Sequence, residues 1–255
     1  MADGGTVTLH SLPGMPAVQP GDDLAAHLGA ALDRAGLVAT RDDVLVVAQK
    51  VVSKAEGRVV DLRTVTPSAE AARLAAIVEK DPRLVEVILS ETASVLRAVP
   101  GVLVVETRLG FVCANAGVDH SNVGPDESWV VLLPEDPDAT ARALREAIGR
   151  ATGAAPAVIV NDSHGRAWRE GAVGVAIGAA GIGAVEDLRG RPDLFGRALR
   201  VTTVGVIDEL AAAASLVMGQ ADEGVPAVLV RGAAFPRAGD GARDVLRAPA
   251  QDLFR

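Results

Sequence analysis

A single cysteine, Cys113, occurs in 255 residues. One thiol excludes an intrachain disulfide framework and an all-cysteine zinc site. It follows the apolar pair Phe111-Val112 and reads as a small buried hydrophobe rather than a nucleophile. Aromatic residues are also scarce, 2% against 49% hydrophobic, so the core must be built from small aliphatic side chains. The uncharged stretch Gly171 to Ala184 is too short and too glycine-rich for a membrane span. The start, Met-Ala-Asp-Gly-Gly, has neither a basic flank nor an apolar run, so no secretory signal is expected, and the chain reads as cytoplasmic with no membrane partner. A net charge of −8 argues against nucleic acid as a partner, while leaving room for a local basic pocket that takes a nucleotide.

Two nucleotide motifs are missing. Gly178-Ala-Ala-Gly181-Ile-Gly183 has the wrong order for a dinucleotide fingerprint, and no Gly-Lys-Ser/Thr follows. Close backbone packing of glycine-rich strands is the expected role of this stretch. No internal repeat of fixed period occurs. Lysine is scarce as well: of 25 basic residues only Lys50, Lys54 and Lys80 are lysines. Two of them stand four residues apart, and lysine is a compact, mobile charge suited to phosphate oxygens.

The length allows one large domain or two closely packed ones. Val7 to Leu9 reads as a strand. Pro-Gly-Asp-Asp at 20–23 starts a helix running to about Leu37, capped by Asp22 or Asp23. Val44 to Ala48 is a buried strand. Thr66 to Lys80 is a helix capped by Thr66 or Ser68, and Asp81-Pro82 ends it. Residues 83–97 are a second helix or a mixed segment. Residues 101–105 and 110–114 form a strand pair, and Trp129 to Leu133 another buried strand. Pro137 to Gly153 is a helix, with Asp136 or Asp138 near its start. Ala157 to Val160 and Val201 to Ile207 are strands, and Leu210 to about Met218 a helix. Val225 to Val230 is a final strand, followed by a loosely packed tail or linker over 233–255.

Polar residues cluster at the ends of these elements, at 49–54, 115–122, 161–169 and 219–223. For 115–122 alone, a polar turn closing a hairpin and a ligand loop are both open. Magnesium or manganese takes hard oxygen ligands together with phosphate oxygens and water. Asp119 and Asp162 offer carboxylates, Ser163 a hydroxyl and Gln220 an amide oxygen. Lys50 and Lys54 could neutralise phosphates, as a phosphoryl-transfer site requires.

Four stretches taken in order, 44–58, 110–123, 160–169 and 217–224, closely resemble the coenzyme F420-0:L-glutamate ligase family. That family includes the N-terminal ligase domain of the actinobacterial bifunctional F420 biosynthesis protein. The resemblance covers roughly residues 8–232, and a ligase domain of 1–232 is expected. It implies an α+β fold with mixed sheets flanked by helices, two intimately packed subdomains and an intertwined homodimer. It also implies a GTP-dependent amide ligase, adding L-glutamate to the lactyl carboxylate of F420-0 through an acyl phosphate, with further γ-linked glutamates. Two Mg2+ or Mn2+ ions and K+ would assist.

Carried over by motif, Asp119 and Asp162 would ligate the first metal, Ser163 and Gln220 the second. Asp119, Asp162 and Lys54 would be catalytic. GTP would contact Met15, Pro16, Ala17, Val18, Gln49, Lys50, Lys54 and Asn122. It would also contact the turn Met218, Gly219, Gln220, Ala221, Asp222, Glu223, Gly224 and Val225. Ser163 stands where the family more often has threonine, and Ala167 where it often has proline. Thr107-Arg108-Leu109 replaces a histidine-rich lead, on the acceptor side. His120 and His164 are candidates for the base that takes the amine proton, or for structural hydrogen bonds. The alternatives are a relative that ligates another amino acid or acceptor, and a non-catalytic nucleotide-binding homologue.

Overall fold

A computed structural model describes residues 5–124, 126–237, 239 and 241–252. Its centre is a five-stranded mixed sheet of β1 (Thr8–Ser11), β12 (Ala227–Arg231), β2 (Val44–Ala48), β8 (Ala157–Arg166) and β9 (Arg169–Ala180), in that order. β2 and β8 run parallel, and the other pairs are antiparallel. The apolar runs are covered on both faces, which is why they carry no polar alternation. Leu45, Val47, Val158 and Val160 pack against α1 (Leu24–Arg34) and α5 (Pro137–Thr152). Val44, Val46, Ile159 and Val228 point the other way, onto α6 (Val206–Met218).

A third cluster joins α3 (Ala69–Val78), α4 (Pro82–Ser90), β5 (Val102–Thr107) and β7 (Trp129–Val131) through Leu74, Val85, Ile88, Leu103, Val105 and Val130. Around it lie the sheet of β4 (Thr92–Val99), β5 and β6 (Val112–Ala114), and the pair of β3 (Val59–Asp61) and β7. β10 (Val185–Asp187) and β11 (Thr203–Gly205) form a further antiparallel pair. The fold is thus α+β with several sheets and, among the described residues, six α-helices. None of those helices is long and apolar enough to cross a membrane.

The capping residues follow the sequence. Asp23 accepts from the Ala26 amide at 3.0 Å, Ser68 from Ala71 at 3.1 Å and Asp136 from Ala139 at 2.9 Å. Asp81 ends nothing by itself: its carboxylate caps α4, so two helices abut there. The mixed segment after it resolves into α4 and β4.

The polar group at 49–54 follows β2 as expected and is helical, α2 (Gln49–Ala55), leaving the strand without a break. Three expectations change. The polar residues at 161–166 do not follow their strand; they are its second half, paired with β9. Val206 and Ile207 open α6 instead of closing a strand, because both pack into the core beneath the sheet. The tail expected to be loose is partly docked. Ala242 is fully buried, its amide donates to Asp138 at 2.8 Å, and Phe235, Val245 and Leu246 pack against the core.

The glycine-rich strand packs as expected. A Cβ on Gly178 would lie 2.5 Å from the Pro137 carbonyl carbon, and one on Gly174 would lie 2.5 Å from the Ala211 oxygen. Only glycine lets β9 approach α5 and α6 so closely.

One buried ion pair ties the end of β12 to the start of β2. The Asp43 carboxylate, 1% exposed, accepts two bonds of 2.8 Å from Arg231 and bonds from the Thr40 amide and hydroxyl. Burial alone would raise its pKa, but Arg231 and Thr40 outweigh burial and hold it below the ordinary value. A depressed folded pKa contributes stability above the unfolded value, which is lost as pH falls through the folded one. Asp43→Asn is expected to cost about 2–3 kcal/mol at neutral pH, less than for a fully buried pair because Arg231 is partly exposed. It should also flatten the loss of stability below about pH 4. Denaturant unfolding of both proteins at neutral and acid pH measures this; parallel pH profiles would contradict it.

Candidate active site

β2 ends beside β8, with Ala48 in register with Asn161, while β8 runs on to Arg166. Ligands in open sheets gather beyond the carboxyl ends of such parallel pairs. Here a cavity of about 380 Å³ opens, within the range of small-molecule sites. α2 places Lys50 and Lys54 one turn apart on its wall.

A second wall comes from the segment after β6. Asn115, Ala116 and Gly117 have φ of 53°, 55° and 71°. This left-handed run is tight: a Cβ on Gly117 would lie 2.7 Å from Leu133. Asp119 then pairs its backbone with Val131. Its carboxylate accepts from the Ser121 amide at 2.8 Å and lies 2.9 Å from the Lys50 ammonium. Burial raises the Asp119 pKa, but the Ser121 amide and Lys50 outweigh it, and the net shift is downward. Lys54 is shifted down, first by burial and then by the charge of Lys50. Its ammonium donates to the Asn122 carbonyl.

The third wall is the turn after α6. The Asn122 amide donates to the Ala221 carbonyl at 3.1 Å, bridging the two loops. Glu223 folds back on the turn and accepts from the Ala221 amide at 2.8 Å. Bonds from backbone amides, that of Ala221 first, lower its pKa. The floor is β8. The Asp162 carboxylate lies 2.9 Å from His164 Nε2. Asn161, 5% exposed, donates to the Ser215 hydroxyl at 3.1 Å and sits beside Ser163 on the cavity.

The sequence matches the model of the F420-0:Gamma-glutamyl ligase family over residues 14–232. The chain belongs to that family. It is 48% identical over 253 residues to a coenzyme F420:L-glutamate ligase of Methanothermobacter thermautotrophicus, covering 98% of this chain and 99% of the relative. The relative of the same description from Methanopyrus kandleri is 46% identical over 257 residues, 98% of each chain. That from Methanocaldococcus jannaschii is 45% identical over 213 residues, 84% of each.

In this F420-0:gamma-glutamyl ligase family member, one cavity gathers almost every residue singled out in the sequence. Met15, Pro16, Ala17 and Val18 line it, as do Gln49, Lys50, Lys54, Asp119, Asn122, Asp162 and Ser163. Met218, Gly219, Gln220, Ala221, Glu223, Gly224 and Val225 complete the set. Asp222 does not line it; the Glu223 fold-back leaves Asp222 exposed on the turn. Gln49 is 2% exposed, and its amide donates to the Leu132 carbonyl and the Ser53 hydroxyl, so much of it serves the scaffold. His120 faces away, into a separate cavity of about 510 Å³ with Arg83 and Glu127. Asn161 was not singled out, since an amide in a strand gives no sign of facing a ligand. Cys113 is buried, and burial, with the Asp162 charge second, pushes its thiol up to about 12. It is not a nucleophile at neutral pH.

Among the described residues, no three His, Cys, Asp or Glu side chains cluster closely enough to hold an ion by themselves. Among the groups on this cavity are the Asp119 and Asp162 carboxylates, the Ser163 hydroxyl and the Gln220 amide oxygen. That hard-oxygen set suits Mg2+ or Mn2+ when phosphate oxygens and water fill the remaining positions. Lys50 against Asp119 marks that carboxylate as a seat for positive charge.

Proposed function

We propose that this chain is a GTP-dependent ligase that joins L-glutamate to the lactyl carboxylate of F420-0, and then adds further glutamates through γ-linkages. The observation that carries the proposal is the convergence of Lys50, Lys54, Asp119, Asp162, Ser163 and Gln220 on one cavity. The family and its relatives, coenzyme F420:L-glutamate ligases, point to the acceptor and the amino acid. The apolar part of the lining, Met15 to Val18 with Met218 and Val225, suits a nucleotide base, and the two lysines suit its phosphates.

Asp119 and Asp162 would hold one Mg2+ or Mn2+ ion, Ser163 and Gln220 a second. Such ions neutralise charge on a transferring phosphoryl group when bound. K+ would assist. Lys50 and Lys54 leave Ser121 and Asn122 for the phosphates, and the Asn122–Ala221 bridge holds the two loops at the nucleotide. The acceptor carboxylate attacks the γ-phosphorus in line, GDP leaves, and an acyl phosphate forms. The glutamate amine then attacks the acyl carbon, loses a proton and expels inorganic phosphate. The lysines oppose the charge that grows on the phosphoryl oxygens.

A homodimer is part of the proposal. Leu194 and Phe195, 100% and 84% exposed, stand between β10 and β11, and such bare apolar residues suit a subunit contact. The decisive assay is product mass after incubation with F420-0, glutamate, GTP and Mn2+. The expected result is a ladder of glutamate-sized increments that requires GTP. Increments with another amino acid or acceptor but not these would establish a different ligase. Nucleotide binding without any product would establish a non-catalytic homologue.

A further inference from the structure

The chain has two tryptophans, four phenylalanines and no tyrosine. One tryptophan, Trp168, stands at the tip of the β8–β9 hairpin, 70% exposed, at a φ of 63°. The turn Ala167-Trp168 joins Arg166 to Arg169, which are direct cross-strand partners. A positive φ at the second position of such a turn ordinarily selects glycine or asparagine. A bulky indole held there is strained, and core packing does not account for it. The two arginines add a second anomaly. Like charges directly opposite one another in a hairpin are unfavourable. Both are exposed, and the Arg166 bond to the Gly171 carbonyl is long, 3.5 Å. A strained aromatic flanked by opposed cations is a surface arranged for an anionic, aromatic ligand.

Position says which ligand. β8 passes from the cavity wall at Asp162 and Ser163 straight out to Arg166. At strand rise, Arg166 lies about 10 Å beyond Ser163 and the two-residue tip with Trp168 about 13 Å. We infer that the hairpin tip binds the far end of the acceptor: Trp168 stacks on a planar heteroaromatic ring, and Arg166 and Arg169 pair with an anionic phosphodiester between the ring and the reacting carboxylate. This rests on the acceptor reading above, since F420-0 carries lactyl carboxylate, phosphodiester and deazaflavin ring in that order. The hairpin thereby sets which carboxylic acids reach the phosphoryl group.

The test is direct binding of F420-0 to the full chain without GTP, read by the anisotropy of its own fluorescence. Trp168→Gly and the double variant Arg166→Ala/Arg169→Ala are expected to weaken binding about tenfold or more, and Trp168→Phe far less. Affinity for GTP should stay within about twofold of wild type in all three, on the same scale. Trp168→Gly should melt no lower than wild type, because glycine relieves the turn. Unchanged F420-0 affinity in Trp168→Gly would overturn the inference, as would parallel losses for F420-0 and GTP. So would a change of oligomeric state in Trp168→Gly by light scattering, which would make the tip a contact with a second copy. The two readings fail separately. Hairpin-dependent binding without glutamate addition removes the ligase reading alone, and glutamate addition indifferent to Trp168 removes this inference alone. If wild type binds no F420-0, both fall.

Discussion

Asp162→Asn is expected to lower GTP-dependent turnover about 10²–10³-fold, the scale seen when one preorganised electrostatic group is removed from a charged transition state. The substitution keeps the shape and the acceptor oxygen that His164 bonds at 2.9 Å. It removes the negative charge that the proposed first metal site needs. The side chain is 16% exposed, and neutralising it removes the cost of desolvating a carboxylate. Thermal stability should therefore change little, within about 1 kcal/mol. Metal-dependent GTP binding, measured by calorimetry with and without Mn2+, should weaken in step with turnover. Binding that keeps its metal dependence in Asp162→Asn would remove this residue from the metal site.

The largest effect on stability is expected from Gly178→Ala. The added methyl would meet Pro137 at the start of α5, 2.5 Å from its carbonyl carbon. That neighbour is backbone, held by the Asp136 cap and by Asp138, whose carboxylate accepts from the Ala179 and Ala242 amides at 2.8 Å each. Neither side can yield by a rotamer change, so strand and helix must separate. The expected cost is about 3 kcal/mol or more, at or above the upper end of ordinary overpacking, and about 6–12 °C in melting temperature for a chain of this size. Gly29→Ala provides the opposite sign. It lies in α1 with nothing within 4 Å of its Cβ, and alanine there should stabilise by about 0.5–1 kcal/mol. Equal melting temperatures for the two variants would contradict the packing account.

What was legible in the sequence was local. Apolar runs at 44–48 and 157–160 mark the central strands because both their faces are covered. Asp23, Ser68 and Asp136 announce their helices because a cap lies within three residues of its amide. The motif residues reach one cavity because α2, the segment after β6, β8 and the turn after α6 all line it beyond the end of β2. What was hidden depends on partners far away in the chain. The docking of Ala242 relies on Asp138, 104 residues earlier. Polar residues at 49–54 look alike until α2 turns Gln49 inward and the lysines outward. His120 and Asp119 are neighbours in sequence but line different cavities, since successive side chains in an extended segment point apart. Asp222 and Glu223 look interchangeable until one folds back onto the turn amides.

The central claim is that this cavity activates a carboxylate by phosphoryl transfer. The most direct test uses F420-0 whose lactyl carboxylate carries a heavy oxygen isotope, incubated with GTP, glutamate and Mn2+. One labelled oxygen is expected in inorganic phosphate for the first glutamate joined to each F420-0, with none in GDP, because the acyl phosphate breaks between carbon and the bridging oxygen; later γ-linked additions activate an unlabelled glutamate carboxylate and release unlabelled phosphate. Singly glutamylated product formed with unlabelled phosphate, or label appearing in a guanosine monophosphate, would contradict the account.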